Sequence, residues 1–126
     1  MLTYKVIRML DANQFARVWE AGWNSHDLDR IMAHYRDDVV FRSLKALATV
    51  GEGELHGARA LRAYWTKALE RQPDLRFEVL DTFKGHAMNV LLYENQIGTR
   101  ATETLFFDAE GRVFQAADCH QMTKAT

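Results

Sequence analysis

Apolar and polar residues alternate most regularly in the C-terminal third. Two runs rich in Phe, Val and Thr, 100–107 and 113–121, flank the turn residues 108–111, a pattern that predicts an antiparallel hairpin. Strand side chains alternate faces. One face of the first strand then carries Ala101, Glu103, Leu105 and Phe107, and one face of the second carries Phe114, Ala116, Asp118 and His120. A simple turn places Glu103 near Ala116 and diagonal to Asp118. A surface that should be core thus holds two carboxylates and an imidazole.

Upstream the period changes. Phe15, Val18, Trp19 and Gly22 recur at helical spacing and predict a helix over roughly 12–24, capped by Asp11 or Asn13. A second short helix, capped by Asp27, carries Leu28, Ile31, Met32 and Tyr35 on one side. Asp37 and Asp38 end it, and 39–43 reads as a strand. Residues 44–57, with three glycines, read as a loop, and residues 1–10 as a lead-in of no assigned structure. The clearest helix covers 58–71, with Leu61, Trp65, Ala68 and Leu69 on its buried stripe and Tyr64 at the edge. Pro73 forbids its continuation. Strands follow at 75–84, where Leu75, Phe77, Val79 and Phe83 share a face, and at 87–95. Three helices followed by a four-stranded meander predict an α+β fold, helices packed on a curved, mainly antiparallel sheet.

Composition narrows the function. The 126 residues suit one domain spanning 1–126. A formal net charge of −1, with basic residues scattered, argues against nucleic acid or membrane surfaces as partners. No apolar segment approaches the ~20 residues of a membrane span, and the N-terminus has no signal-peptide pattern. The single cysteine, Cys119, allows no internal disulfide and suits a reducing, cytoplasmic setting. His26, His34, His56 and His86 show no metal-ligand spacing, so no metal is expected, and the glycines at 51 and 53 lack the Lys and Ser or Thr of a phosphate loop.

Four runs carry a resemblance: Trp23-Asn24-Ser25-His26-Asp27-Leu28-Asp29, Tyr35-Arg36-Asp37-Asp38-Val39-Val40-Phe41, the stretch from His56 to Trp65, and Phe107-Asp108-Ala109-Glu110-Gly111-Arg112-Val113. Together they resemble the nuclear transport factor 2-like superfamily, most closely its SnoaL-like and ketosteroid-isomerase-like branch. The resemblance implies a conical pocket closed by the helices. Against the ketosteroid isomerases, Ser43 stands where their general-base aspartate stands, Trp19 where their oxyanion-binding tyrosine stands, and Glu103 where their protonated aspartate stands. One position of three is kept, which excludes steroid isomerase chemistry. SnoaL-like cyclases are the better likeness, and they use pocket carboxylates and histidine with no cofactor.

The candidate catalytic residues are therefore Glu103, His120 and Asp118. Trp19, Ser43, Tyr64, Trp65, Val90, Leu92 and Ala116 are the candidate pocket wall. A carboxylate on an apolar face loses hydration and its pKa rises, which suits proton transfer. The alternative is a structural glutamate satisfied by Trp19, Tyr93 or water. His120 and Asp118, at i and i+2, point the same way ~7 Å apart. The expected function is acid–base chemistry (isomerase, cyclase or lyase) on a small apolar ligand. A non-catalytic binding protein and an interaction module are the alternatives. The outer sheet face, read as Leu80, Leu91, Tyr93, Thr102, Thr104, Phe106, Ala117 and Cys119, is expected to pair two copies into a homodimer.

Overall fold

A computed structural model of the chain describes residues 11–122, so the lead-in at 1–10 lies outside the described residues. Helix α1 (Ala12–Ser25) starts at a capping box. The Asp11 carboxylate accepts from the Gln14 N–H at 2.7 Å, and the Gln14 side chain accepts from the Asp11 N–H at 3.0 Å. Its inner face carries Phe15, Trp19 and Trp23, whereas Val18 is exposed. Helix α2 (Leu28–Met32) is capped by Asp27.

Strand β1 (Tyr35–Arg42) begins earlier than expected and runs through Asp37 and Asp38, which face solvent. Tyr35 therefore belongs to the sheet and not to α2. The stretch read as a loop holds two elements, helix α3 (Leu44–Val50) and strand β2 (Glu54–His56). Ser43 caps α3, its Oγ accepting from the backbone N–H groups of Lys45 and Ala46 at 3.1 and 3.2 Å. Gly51 closes it at φ 84°, a left-handed conformation that favours glycine. Helix α4 (Ala58–Arg71) buries Leu61, Tyr64 and Trp65.

Strands β3 (Glu78–Gly85), β4 (Met88–Glu94), β5 (Arg100–Phe107) and β6 (Val113–His120) form the antiparallel meander. The sheet order is β2-β1-β6-β5-β4-β3, and β1 and β6 pair in parallel. The α+β fold, helices on a curved and mainly antiparallel sheet, is as the sequence pattern indicates, with α3 as a fourth helix. Val39, Leu61, Leu91, Leu105, Val113 and Ala116 are fully buried between the layers. No helix among the described residues is long and apolar enough to cross a membrane.

Two irregularities redirect faces. On β3 the register shifts between Val79 and Asp81, so Phe83 pairs with Val90 on the outside and is 52% exposed. On β6 the register shifts beside Phe106 and Phe107, so Val113 takes the inner position expected of Phe114, which is exposed against Phe106.

Candidate functional site

The shift at Phe114 moves the carboxylates together. Leu105 lies opposite Ala116, and Glu103 lies directly opposite Asp118 instead of diagonal to it. Directly opposed residues bring their Cβ atoms within ~5.5 Å. Ala101 opposite His120 completes this end of the hairpin.

Ala101, Glu103, Asp118 and His120 line a cavity of about 60 Å³ between the sheet, α1 and α4. Its wall is largely aromatic. Trp19 stacks on Phe77 at 5.6 Å and meets Tyr93 edge-on at 5.0 Å, and Trp23 meets Trp65 at 4.9 Å. The helix–sheet spacing is held by polar ties from α1 to the start of β3. Asn24 bonds the Phe77 backbone in both directions at 2.8 and 2.9 Å, and Glu20 accepts from the Val79 N–H at 2.7 Å. The polar rim comes from Lys45 on α3, Gln72 after α4, and Asn95 and Thr99 in the β4–β5 turn.

Of the pocket wall expected from sequence, Trp19, Tyr64 and Trp65 line the cavity. Val90 and Leu92 do not, because β4 pairs Leu91 with Glu103 and so turns Leu91 and Tyr93 inward. Leu91 and Tyr93 are correspondingly absent from the outer face. Ala116 is core beneath the site. Ser43 is buried just outside the cavity, where its hydroxyl caps α3 and lies near the Asp118 carboxylate and the Tyr64 hydroxyl. Lys45, the cation of the wall, was hidden from sequence because 44–57 looked like loop. The signal that could have found it was Ser43 as a helix cap. The other histidines lie elsewhere. His26 caps α1 and bonds the Leu75 carbonyl at 2.7 Å, His34 packs on Phe15, and His56 pairs with Glu54 at the surface.

Burial sets the protonation pattern. Glu103 is 4% exposed, and desolvation, reinforced by the neighbouring Asp118 charge, holds its pKa well above the usual carboxylate range. Asp118 is pushed up to about 6 by burial, against the opposing pull of the Ser43 hydroxyl and the Lys45 charge. His120 is lowered to about 4 by burial and by Lys45. Burial thus favours the neutral form of Glu103, while near neutral pH Asp118, at about 6, is largely an anion and His120, at about 4, a neutral imidazole. His120 Nδ1 lies 3.7 Å from Asp118 Oδ1, too far for a hydrogen bond. Tyr93, well above its usual range, and Tyr64, at about 12, stay protonated.

The arrangement thus sets two carboxyl groups, both shifted toward the neutral form by burial, directly across from each other in a largely aromatic chamber. Among the described residues no group of three or more His, Cys, Asp and Glu side chains could hold a metal ion.

Solved structures share this fold. A SnoaL-like protein of unknown function from Burkholderia thailandensis is 36% identical, with a TM-score of 0.83 over 88% of this chain and 95% of its own. A proposed isomerase of the SnoaL-like family from Agrobacterium tumefaciens is 17% identical, with a TM-score of 0.67 over 97% of this chain and all of its own. TerC, co-crystallised with polyporic acid, is 12% identical, with a TM-score of 0.70 over 84% of this chain and 88% of its own. The last two likenesses concern the fold alone. No curated protein matches the chain. The SnoaL-like domain family matches residues 15–124, and with the fold described above this chain belongs to it.

Proposed function

We propose that this protein is a cofactor-independent acid–base enzyme, an isomerase, cyclase or lyase acting on a compact, largely apolar substrate. The observation that carries the reading is the opposed Glu103 and Asp118 pair lining an aromatic chamber. Asp118, ionised near neutrality, removes a proton from an acidic C–H of the substrate. Glu103, its pKa raised well above the usual carboxylate range by burial, donates a hydrogen bond or a proton to the oxygen on which charge develops. Two carboxyl groups with pKa values held apart by their surroundings divide the acid and base roles in this way. His120, a neutral imidazole beside Asp118, positions the ligand from the rim side.

Deuterium incorporation tests this without knowing the physiological substrate. Small carbonyl compounds are incubated with the protein in D2O, and C–H exchange is followed by mass spectrometry. Wild type is expected to accelerate exchange for a subset, and Glu103→Gln and Asp118→Asn to lose roughly 10²–10⁴-fold of it. Exchange that survives both substitutions unchanged rules the reading out. A second reading, saturable binding without chemistry, draws on Ser43. That side chain is committed to capping α3, so the end of β1 supplies no base. Ligand binding with no exchange in any compound selects it.

We also infer a two-fold pairing of copies through the outer sheet face, in a reducing, cytoplasmic setting. Leu80, Phe83 and Phe114 are exposed there, more apolar surface than a monomer ordinarily leaves in water. Sedimentation velocity should give twice the chain mass, and a monomer at micromolar concentration removes the idea.

A further inference from the structure

A second cavity, of about 230 Å³, lies at the opposite end of β4 and β5 from the chamber of Glu103 and Asp118. Its wall joins the first turn of α1 (Ala12, Phe15), the β3–β4 corner (Lys84, Met88) and the end of β5 (Phe107). Phe15 and Phe107 meet edge-on at 5.1 Å, and the Ala87 carbonyl accepts from the Phe107 N–H at 2.9 Å, tying the corner to β5. Among these mostly apolar groups stands one amide. Asn89 lines the cavity, is 8% exposed, and its side chain makes no hydrogen bond among the described residues. Buried polar groups are normally paired, so a bare amide in an apolar cleft requires an explanation.

Register puts the amide there. On β4 the inner face carries Asn89, Leu91 and Tyr93, and Asn89 pairs with Leu105 on β5 and with Lys84 on β3. Leu105 is fully buried and offers no partner. Lys84, on the edge strand, shares the face of Asn89, the two Cβ atoms within ~5.5 Å of each other. Its ammonium makes no ion pair or hydrogen bond among the described residues. Asp108, the carboxylate of this wall, is committed elsewhere. Its Oδ1 accepts from the Glu110 and Arg112 N–H groups at 2.9 Å, and its Oδ2 faces Arg36 at 3.4 Å.

We infer that this cavity is a second ligand site, for a compact carboxylate with an apolar body. The body lies between Phe15, Phe107 and Met88. One carboxylate oxygen accepts from Asn89 Nδ2, and the other meets Lys84 Nζ at the rim. An ammonium only donates and an amide N–H donates, so the pair calls for an acceptor, and the lysine charge favours an anion. A neutral amide would gain the Asn89 bond alone, and a cation would be repelled by Lys84. The site is separate from the acid–base chamber and does not depend on what that chamber does.

Benzoate, benzamide and benzylamine test it, one ring with an anionic, a neutral and a cationic head group. Titrations in ¹H–¹³C and ¹H–¹⁵N spectra follow the Met88 methyl and the Asn89 side-chain amide, assigned by their loss in Met88→Leu and Asn89→Leu. The Trp19 indole signal reports on the other cavity. In wild type, benzoate should move the Met88 and Asn89 signals saturably and bind about fivefold tighter than benzamide, the worth of one exposed charge. Benzylamine should leave both signals in place. Lys84→Met, a change at the surface, should level benzoate with benzamide. Asn89→Leu should weaken both by about tenfold, the worth of a hydrogen bond to a buried bare group. Benzoate that moves only the Trp19 indole, equal affinity for all three compounds, affinities unchanged by both substitutions, or no saturable shift at millimolar concentration each overturns the inference.

Discussion

The two halves of the β5·β6 hairpin share strands and a face, but the far half is chemically different and, at Asp118 and His120, only partly buried. Near the turn the inner face is Leu105, Val113 and Ala116, all fully buried. Two residues further along, the same face carries Glu103 opposite Asp118, then Ala101 opposite His120. Burial by itself therefore does not define core. The turn half gains from every apolar atom withdrawn from water. The far half withdraws ionisable groups, and that burial raises the pKa of Glu103 and Asp118 and lowers that of His120, each toward its neutral form. One half gains stability from apolar burial, and the other bears the free-energy cost of burying ionisable groups.

Substitution should separate the halves most sharply. Leu105→Ala removes a fully buried side chain from the well-packed half and is expected to lose about 2–5 kcal/mol in urea unfolding. A loss below about 1 kcal/mol would mean that the two halves are equally loose.

A smaller effect of opposite sign belongs to Glu103. Its folded pKa is raised, so its contribution is fully present below the unfolded value of ~4.3 and is lost as pH rises above it. The wild type should lose about 1.4 kcal/mol per pH unit from this group until its folded pKa is reached. Glu103→Gln should remove that slope and be the more stable protein at neutral pH. The remaining pair cannot restore it. Asp118, raised to about 6, loses stability as pH rises between about 4 and 6. His120, lowered to about 4, loses stability as pH falls from ~6.5 through 4. Their slopes oppose one another across most of that range. Unfolding curves of both proteins from pH 4 to 8 check this, and an unchanged slope in Glu103→Gln would mean that Glu103 is hydrated in the folded protein.

The sequence made the fold and the key carboxylate legible, because helical spacing, alternation and the turn at 108–111 act locally. Glu103 shares a face with Ala101 and Leu105 whatever the rest of the chain does. Its partner was less legible. The extra residue at Phe114 displaces the register, and no alternation pattern announces a bulge. On β4 both faces are apolar, Leu91 and Tyr93 on one and Val90 and Leu92 on the other, so composition could not say which pointed inward. Only pairing with β5 decides that. Helix α3 escaped because seven residues between Ser43 and Gly51 carry little periodicity, and Lys45 was missed with it.

The place of β6 in the sheet has a consequence for assembly. It follows every other strand in sequence, yet it sits between β1 and β5 and alone joins β2-β1 to the β5-β4-β3 half. Until β6 emerges and inserts, the chain is two strand groups with open edges, and the contact that unites them, β1 with β6, spans 75 residues of chain, Phe41 to Ala116. Such long-range parallel pairing forms slowly. Asp118 and His120 ride on that last strand, so the chamber acquires its anion and its imidazole in the same event that closes the sheet. A chain stalled before β6 carries Glu103 on an unpaired edge, exposed to water and chemically ordinary.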